Sequence, residues 1–142
     1  MRDNEWLNNK LNQIWTFLFP EVARSNDVVI RFKGKSKNRF GSISLKDKTT
    51  IITINSLFMH ELIPEYVIDT TVAHELVHYM HGFFSPHQRL YKHPHKGGIV
   101  TKELKKRGFE ATLKKEKLWV KKEWWNTYKT IKTNGINLQE FE

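Results

Sequence analysis

Cysteine is absent from the 142-residue chain. Its absence excludes a disulfide-stapled scaffold, a cysteine-ligated zinc ribbon, an iron–sulfur cluster and a cysteine nucleophile. No stretch reaches the roughly 18 apolar residues of a membrane-spanning helix, and the first ten residues, MRDNEWLNNK, contain no apolar signal segment. We therefore expect a cytoplasmic protein that does not span a membrane.

Acidic residues are scarce relative to basic ones, with 15 Asp and Glu against 24 Lys and Arg. The resulting net charge of +9 is unevenly distributed along the chain. Residues 31–48 carry a net +6 and residues 89–132 a net +10, whereas residues 49–88 carry −4 and contain no Lys or Arg. Clustered basic residues favour a polyanionic partner such as nucleic acid, although a solubilising surface explains the same charges equally well.

Hydrophobic periodicity predicts an α+β fold. The composition, 39% hydrophobic and 27% charged, is typical of a globular chain of one domain. The pattern predicts helices over 4–19, 66–82, 99–107 and about 112–130, and strands over 27–33, 41–46 and 49–54. Within the last helix, KLWVKKEWW would also fit a strand. We expect a small, mostly antiparallel sheet packed on helices, one domain over 1–133, and a frayed tail over 134–142.

An HExxH motif, His74-Glu75-Leu76-Val77-His78, lies inside the strongest predicted helix. Residues four apart share one face of a helix, so both imidazoles can bind one zinc ion. Glu75 lies beside the first ligand, where a carboxylate can take a proton from zinc-bound water. Structural roles explain lone histidines well but explain this pairing poorly. The motif therefore predicts a catalytic site with one Zn²⁺ per chain.

The motif leaves the third ligand open, and a catalytic zinc site usually has three. The metzincin pattern HExxHxxGxxH fails, because positions 81 and 84 are His and Phe. His81 lies two turns from His74 on the same helix, so we expect a supporting or surface position for it. His87, in the following loop, has no supporting pattern. The other candidates, in order of preference, are His95, His93 and Glu103.

Three segments, taken in order, resemble the SprT-like zinc metalloprotease domain. The segment RFGSISLKDKTTIITINSLF resembles the strand pair of that family. The segment IPEYVIDTTVAHELVHYMHG resembles its active-site helix, and HKGGIVTKELKKRG resembles the downstream His-Gly segment with its amphipathic helix. The resemblance runs from Phe40 to Gly108, about half of the chain.

The resemblance implies a zincin-like fold, with His74, His78 and His95 as zinc ligands and Glu75 as the general base. It also implies a metalloendopeptidase that cleaves proteins, including proteins crosslinked to DNA, and hence a role in DNA repair. His95-Lys96-Gly97 stands where the family has His-Gly, so His93 stays an alternative third ligand. The Cys-based zinc ribbon of many members is absent, so any DNA contact would use the chain's own basic residues.

Two groups of basic residues are candidates for nucleic-acid contacts. The first group lies on a predicted strand and turn, and the second on the last predicted helix: Arg31, Lys33, Lys35, Lys37 and Arg39; Lys117, Lys121 and Lys122. Aromatic residues interleave with the second group and could stack on unpaired bases: Trp119, Trp124, Trp125 and Tyr128. We interpret most of these aromatic side chains instead as core residues of a terminal helix.

Three functions remain open at this point. The first is a zinc peptidase acting on proteins, including DNA-associated ones, and the second is a zinc peptidase whose lysines serve only solubility. The third is a basic nucleic-acid-binding module with an inactive or structural zinc site, which His93 could close as a fourth ligand. Candidates for stabilising the oxyanion of a peptidase reaction are Tyr79, Tyr91 and His81.

Overall fold

The computed structural model describes residues 1–134, so most of the predicted tail, residues 135–142, lies outside the described part of the chain. The fold is α+β. Its helices and strands, in chain order, are α1 (Asn4–Leu18), β1 (Val28–Phe32), β2 (Gly41–Lys46), β3 (Thr49–Ile54), α2 (Glu65–Met80), α3 (Ile99–Lys106), α4 (Glu110–Trp119) and α5 (Trp125–Thr133). Short 3₁₀ turns cover Ser56–Met59 and Lys96–Gly98, and a π-helical segment, Val120–Trp124, joins α4 to α5.

The three strands form a mixed sheet in the order β1-β3-β2. β2 and β3 form the antiparallel hairpin that the alternation predicted, with Lys46 opposite Thr49 at its turn. β1 instead runs parallel to β3, with Val28 opposite Thr50. β3 is the central strand, and Thr50, Ile52 and Ile54 alternate as buried residues on its core face. β2 is consequently an edge strand, paired on one side only.

Helix α2 lies at the centre of the molecule. It packs against α1, β2, β3, α3 and α4. Buried apolar residues therefore occur along the whole helix, from Val67 and Ile68 at its start to Leu76 and Val77 near its end. A helix buried all round places even its polar residues in the interior unless a cleft reaches them. The HExxH motif lies on this helix.

Gly82 terminates α2 and turns the chain back along it. Its φ of +83° is left-handed, the conformation in which glycine commonly ends a helix. A Cβ at Gly82 would lie 2.4 Å from the carbonyl oxygen of Gln88, so the returning loop needs glycine here. The Leu90 amide donates to the His81 carbonyl (3.0 Å), and the Ser85 hydroxyl donates to the Tyr79 carbonyl (2.7 Å). These bonds hold the loop on the end of α2.

The chain from Glu110 to Thr133 is helical throughout, so the helical interpretation of KLWVKKEWW is confirmed. We call this segment the C-terminal rod. Trp124 in its π segment is buried, and its ring lies 5.0 Å from that of Phe40 and 5.8 Å from that of Phe58. Its indole nitrogen donates to the Lys37 carbonyl (2.9 Å). The rod is thereby tied to the loop that precedes β2.

None of the helices within residues 1–134 combines the length and the apolar character that crossing a bilayer requires.

Candidate metal centre

Three imidazole nitrogens converge on one point. His74 and His78 lie one turn apart on α2, and their Nε2 atoms are 3.0 Å apart. His95, in the segment before α3, brings its Nε2 atom to 3.3 Å from that of His74 and 2.9 Å from that of His78. These three residues could hold one metal ion. Within residues 1–134, neither His93 nor Glu103 belongs to a metal-binding group.

The chain places His95 by returning along α2 and then entering α3. Gly97 and Gly98 both have left-handed φ angles, +78° and +66°, which turn the backbone sharply from His95 into the helix. Val100 and Leu104 then bury the apolar face of α3, which packs against α2. Glu103, the third candidate, is engaged elsewhere, since its Oε2 accepts from Arg107 Nε at 2.8 Å.

The spacing of the three nitrogens suits a tetrahedral metal site. With Zn–N bonds of about 2.0–2.1 Å, tetrahedral geometry separates ligand nitrogens by about 3.3 Å. The measured separations, 2.9–3.3 Å, approach this value. Three imidazole nitrogens facing one another at this range cannot all donate hydrogen bonds among themselves, whereas one cation satisfies all three lone pairs.

Electrostatics favour neutral imidazoles at the site. Burial lowers the pKa of His74 to about 4, with a smaller contribution from His95. Burial also lowers the pKa of His78 to about 3, assisted by the neighbouring His74 and His95 imidazoles. Both rings are therefore uncharged at pH 7, which is the form that binds a metal ion. The other ring nitrogen of His78, Nδ1, is buried with no hydrogen-bond partner within the described residues.

Glu75 lies beside His74 with only 4% of its surface exposed. Its Oε2 atom is buried and accepts no hydrogen bond from any described residue. Burial raises the pKa of Glu75 to about 8, and the positive charge of Arg39 opposes this shift. A carboxylate with one unpartnered oxygen, next to three converging imidazoles, is available for a water molecule or a substrate.

The three histidines and Glu75 line one open cleft of about 880 Å³. One wall is the start of edge strand β2, including Gly41 and Ile43, and the opposite wall is the C-terminal rod. Gly41 is required for the close approach of β2 to α2, because a Cβ there would lie 2.7 Å from Thr71 Cγ2. The cleft therefore gives a ligand access to the metal-binding group along a sheet edge.

The first basic group does not form a single patch. Lys37 and Arg39 line the cleft that contains the three histidines, whereas Lys33 and Lys35 line a separate cavity of about 800 Å³ beside the start of α1. Arg31 lies on β1, and its Nε atom donates to Thr53 Oγ1 at 3.4 Å. The second group is exposed on the C-terminal rod: Lys117, Lys121 and Lys122.

The aromatic residues of the rod divide between core and surface. Trp124 is buried, as the core interpretation predicted, and Trp119 and Tyr128 pack partly buried against the core. Trp125 is 51% exposed at the cleft. The Lys37 ammonium lies 4.1 Å from the centre of its ring.

The oxyanion candidates lie away from the cleft lining. The Tyr79 hydroxyl donates to Asn26 Oδ1 (2.7 Å) and accepts from the Ser25 amide (3.1 Å). His81 is only 2% exposed, which excludes the surface alternative expected for it and leaves the supporting one, and its ring packs against Tyr91. The fold also brings Arg39 and Glu116 into the cleft. No local sequence signal distinguishes Glu116 from the other charged residues of its helix.

Comparisons of the chain with protein-family models, with curated proteins and with solved structures give no match.

Proposed function

We propose that the chain is a zinc-dependent metalloendopeptidase of SprT-like type, with a zincin-like active site. One observation carries the proposal: three imidazole nitrogens within 3.3 Å of one another share an open cleft with a buried, partly unpartnered carboxylate. The order of elements also agrees with the resemblance. A strand pair precedes the HExxH helix, and a histidine follows just before the next helix.

Zinc is the metal that fits this set of donors best. Neutral imidazoles suit Zn²⁺, whereas calcium and magnesium prefer oxygen ligands. Structural zinc sites are usually closed by four protein ligands, while catalytic sites use three and keep one position for water or substrate. Within residues 1–134 the group contains three histidines, and His93 is not among them. This favours a catalytic site over the structural alternative.

Bound zinc would polarise the scissile carbonyl and lower the pKa of a water molecule, which are the two contributions that a peptidase needs from a metal. His74, His78 and His95 would hold it. Glu75 would accept a proton from the attacking water and later donate it to the leaving amine. Burial alone raises the pKa of Glu75, and the charge of a bound cation would lower it again and keep the carboxylate ionised, as a general base requires.

An extended peptide would bind along β2. This strand is paired on one side only, and its first residues line the cleft beside the histidines. Unpaired backbone groups of an edge strand can pair with an added strand, which holds a peptide in extended form. The scissile bond would then pass over the metal-binding group.

The Glu75→Gln variant tests the peptidase proposal. It keeps the size of the side chain but removes the base, so we expect unchanged zinc content and hydrolysis of a dye-labelled unfolded protein reduced at least about 100-fold. Glu110→Gln, an exposed glutamate on α4 outside the cleft, serves as the matched control and should cleave normally. The proposal fails if zinc-loaded protein shows no hydrolysis, or if Glu75→Gln cleaves as well as the control does.

DNA-associated proteins are the proposed substrates, because Lys37 and Arg39 line the cleft while further lysines are exposed on the rod beside it. Single-stranded DNA should then bind with an affinity that falls steeply with salt, and it should stimulate cleavage. Salt-sensitive binding without any cleavage would instead favour the nucleic-acid-binding module with an inactive zinc site. Cleavage without DNA binding would favour a peptidase whose lysines serve solubility.

A further inference from the structure

The cleft contains a second carboxylate besides Glu75. Glu116 lies on α4, which packs against α2, and it lines the same cleft as His74 and Glu75. It is not a member of the metal-binding group. The metal chemistry therefore assigns no role to Glu116.

The Glu116 side chain has no ionic or hydrogen-bonding partner within the described part of the chain. Its sequence neighbours are engaged elsewhere or point outward: the Lys115 ammonium lies 4.5 Å from the centre of the Tyr66 ring, and Lys117 is exposed. Glu116 itself is half-buried, and burial raises its pKa. A carboxylate that loses hydration without gaining a partner is destabilised, and a cationic ligand would remove that penalty.

The surroundings of Glu116 suit a cation on a long apolar stem. Val120 and Trp124 follow at intervals of four residues along the rod, and all three residues line the cleft. Lysine and arginine side chains bury their methylene groups against apolar surface while the charged end binds a polar group. The adjacent Trp125 already carries an ammonium group, that of Lys37, at 4.1 Å. The rim of the cleft thus combines apolar, aromatic and carboxylate groups.

We propose that Glu116 forms a subsite that selects a lysine or arginine side chain of the peptide substrate, near the scissile bond. The inference rests on the proposed peptidase function, since it places the subsite in the same cleft as the metal-binding group. Glu116 would bind the cation, and Val120 and Trp124 would pack against the stem. Arg39 and Lys37 also line the cleft and disfavour cations near them, so we expect selection only at the peptide position that contacts Glu116.

Cleavage of matched peptides tests this subsite. Internally quenched, N-acetylated peptides would differ at one scanned position, carrying Lys, Arg, uncharged norleucine or Glu. At one position we expect kcat/KM for Lys and Arg to exceed that for norleucine at least about 10-fold, as a charge-assisted bond implies. Glu116→Gln should reduce this preference to less than about twofold, and Glu116→Lys should favour Glu. Glu123→Gln, an exposed glutamate on the same rod, should keep the wild-type preference.

The outcomes separate this inference from the peptidase proposal. Equal cleavage of Lys and norleucine peptides, or a Lys preference that survives Glu116→Gln, overturns the subsite and leaves the peptidase standing. Fluorescence anisotropy of the same peptides mixed with the Glu75→Gln variant reports peptide binding without turnover. Tighter binding of Lys peptides that depends on Glu116, with no cleavage by wild type, supports the subsite and refutes the peptidase. If wild type cleaves none of the peptides and Glu75→Gln binds none, both proposals are overturned. A Lys peptide with a free α-amino group completes the series, and its selection over the acetylated Lys peptides would overturn the side-chain subsite in favour of recognition of a terminus.

Discussion

Zinc should stabilise the fold, and the response should depend on His95 but not on His93. A ligand present at 100 times its dissociation constant stabilises the native state by about 2.7 kcal/mol. Unfolding entropy near 2.1 cal/mol/K per residue gives about 0.3 kcal/mol/K for 142 residues. The melting temperature should therefore rise by about 9 °C. His95→Ala removes one of three converging nitrogens, so zinc should raise the melting temperature of this variant by less than about 2 °C. In His93→Ala, zinc should raise the melting temperature as much as in wild type.

Differential scanning fluorimetry in a zinc buffer of fixed free concentration measures these shifts. Both histidines are exposed, so without zinc both variants should melt within about 2 °C of wild type, which separates loss of binding from loss of folding. A full rise in His95→Ala would show that His95 is not a ligand. If zinc no longer raises the melting temperature of His93→Ala, the third ligand is His93. If zinc does not raise the melting temperature of wild type, zinc binding by the cluster is refuted.

Two further predictions concern buried polar groups. The Lys10 ammonium is buried and lies 2.8 Å from Asp69 Oδ1. Lys10→Met should therefore lower the free energy of unfolding, measured with urea at pH 7, by about 3–5 kcal/mol. Burial already raises the pKa of Asp69, and loss of Lys10 raises it further. The free energy of unfolding that the variant loses relative to wild type should therefore shrink as the pH falls and Asp69 is protonated. A loss that does not change with pH would contradict this account. Asn55 donates to the carbonyls of Ser36 (2.6 Å) and Arg39 (2.9 Å), so Asn55→Ala should cost about 3 kcal/mol in the same assay. The exposed Asn38→Ala should change stability by less than about 0.5 kcal/mol, and equal losses would refute the role given to Asn55.

Features encoded in short stretches of sequence were predictable. β2 and β3 alternate clearly and lie close together in the chain, so the sequence predicts both strands and an antiparallel arrangement, which the structure shows. α2 shows helical spacing, and the predicted helix over 66–82 corresponds closely to Glu65–Met80. The pair His74 and His78 needs only the helix itself to be brought together, because residues four apart share one face.

The sheet order was not predictable from local pattern. β1 and β2 are sequential, yet β3 lies between them and pairs with both. The connection from residue 33 to residue 40 must therefore reverse direction and leave room for a strand that comes later in the chain. It is held in that course by buried Asn55, whose amide side chain donates to two carbonyls of the connection. No periodicity in the connection itself reports these bonds, since Asn55 lies after β3.

The far wall of the cleft depends on a second long-range contact of the same connection. Trp124 donates to the Lys37 carbonyl and packs against Phe40, which places the rod opposite α2 and brings Glu116 into the cleft with the HExxH motif. From the sequence, Glu116 is one acid in a lysine-rich helix, and its neighbours predict only a solvated face. The positions of Arg39 and Glu116 are thus consequences of how residues 36–40 meet the rod. A substitution that breaks that contact, at Asn55 or Trp124, would alter the cleft without changing any residue of the metal-binding group.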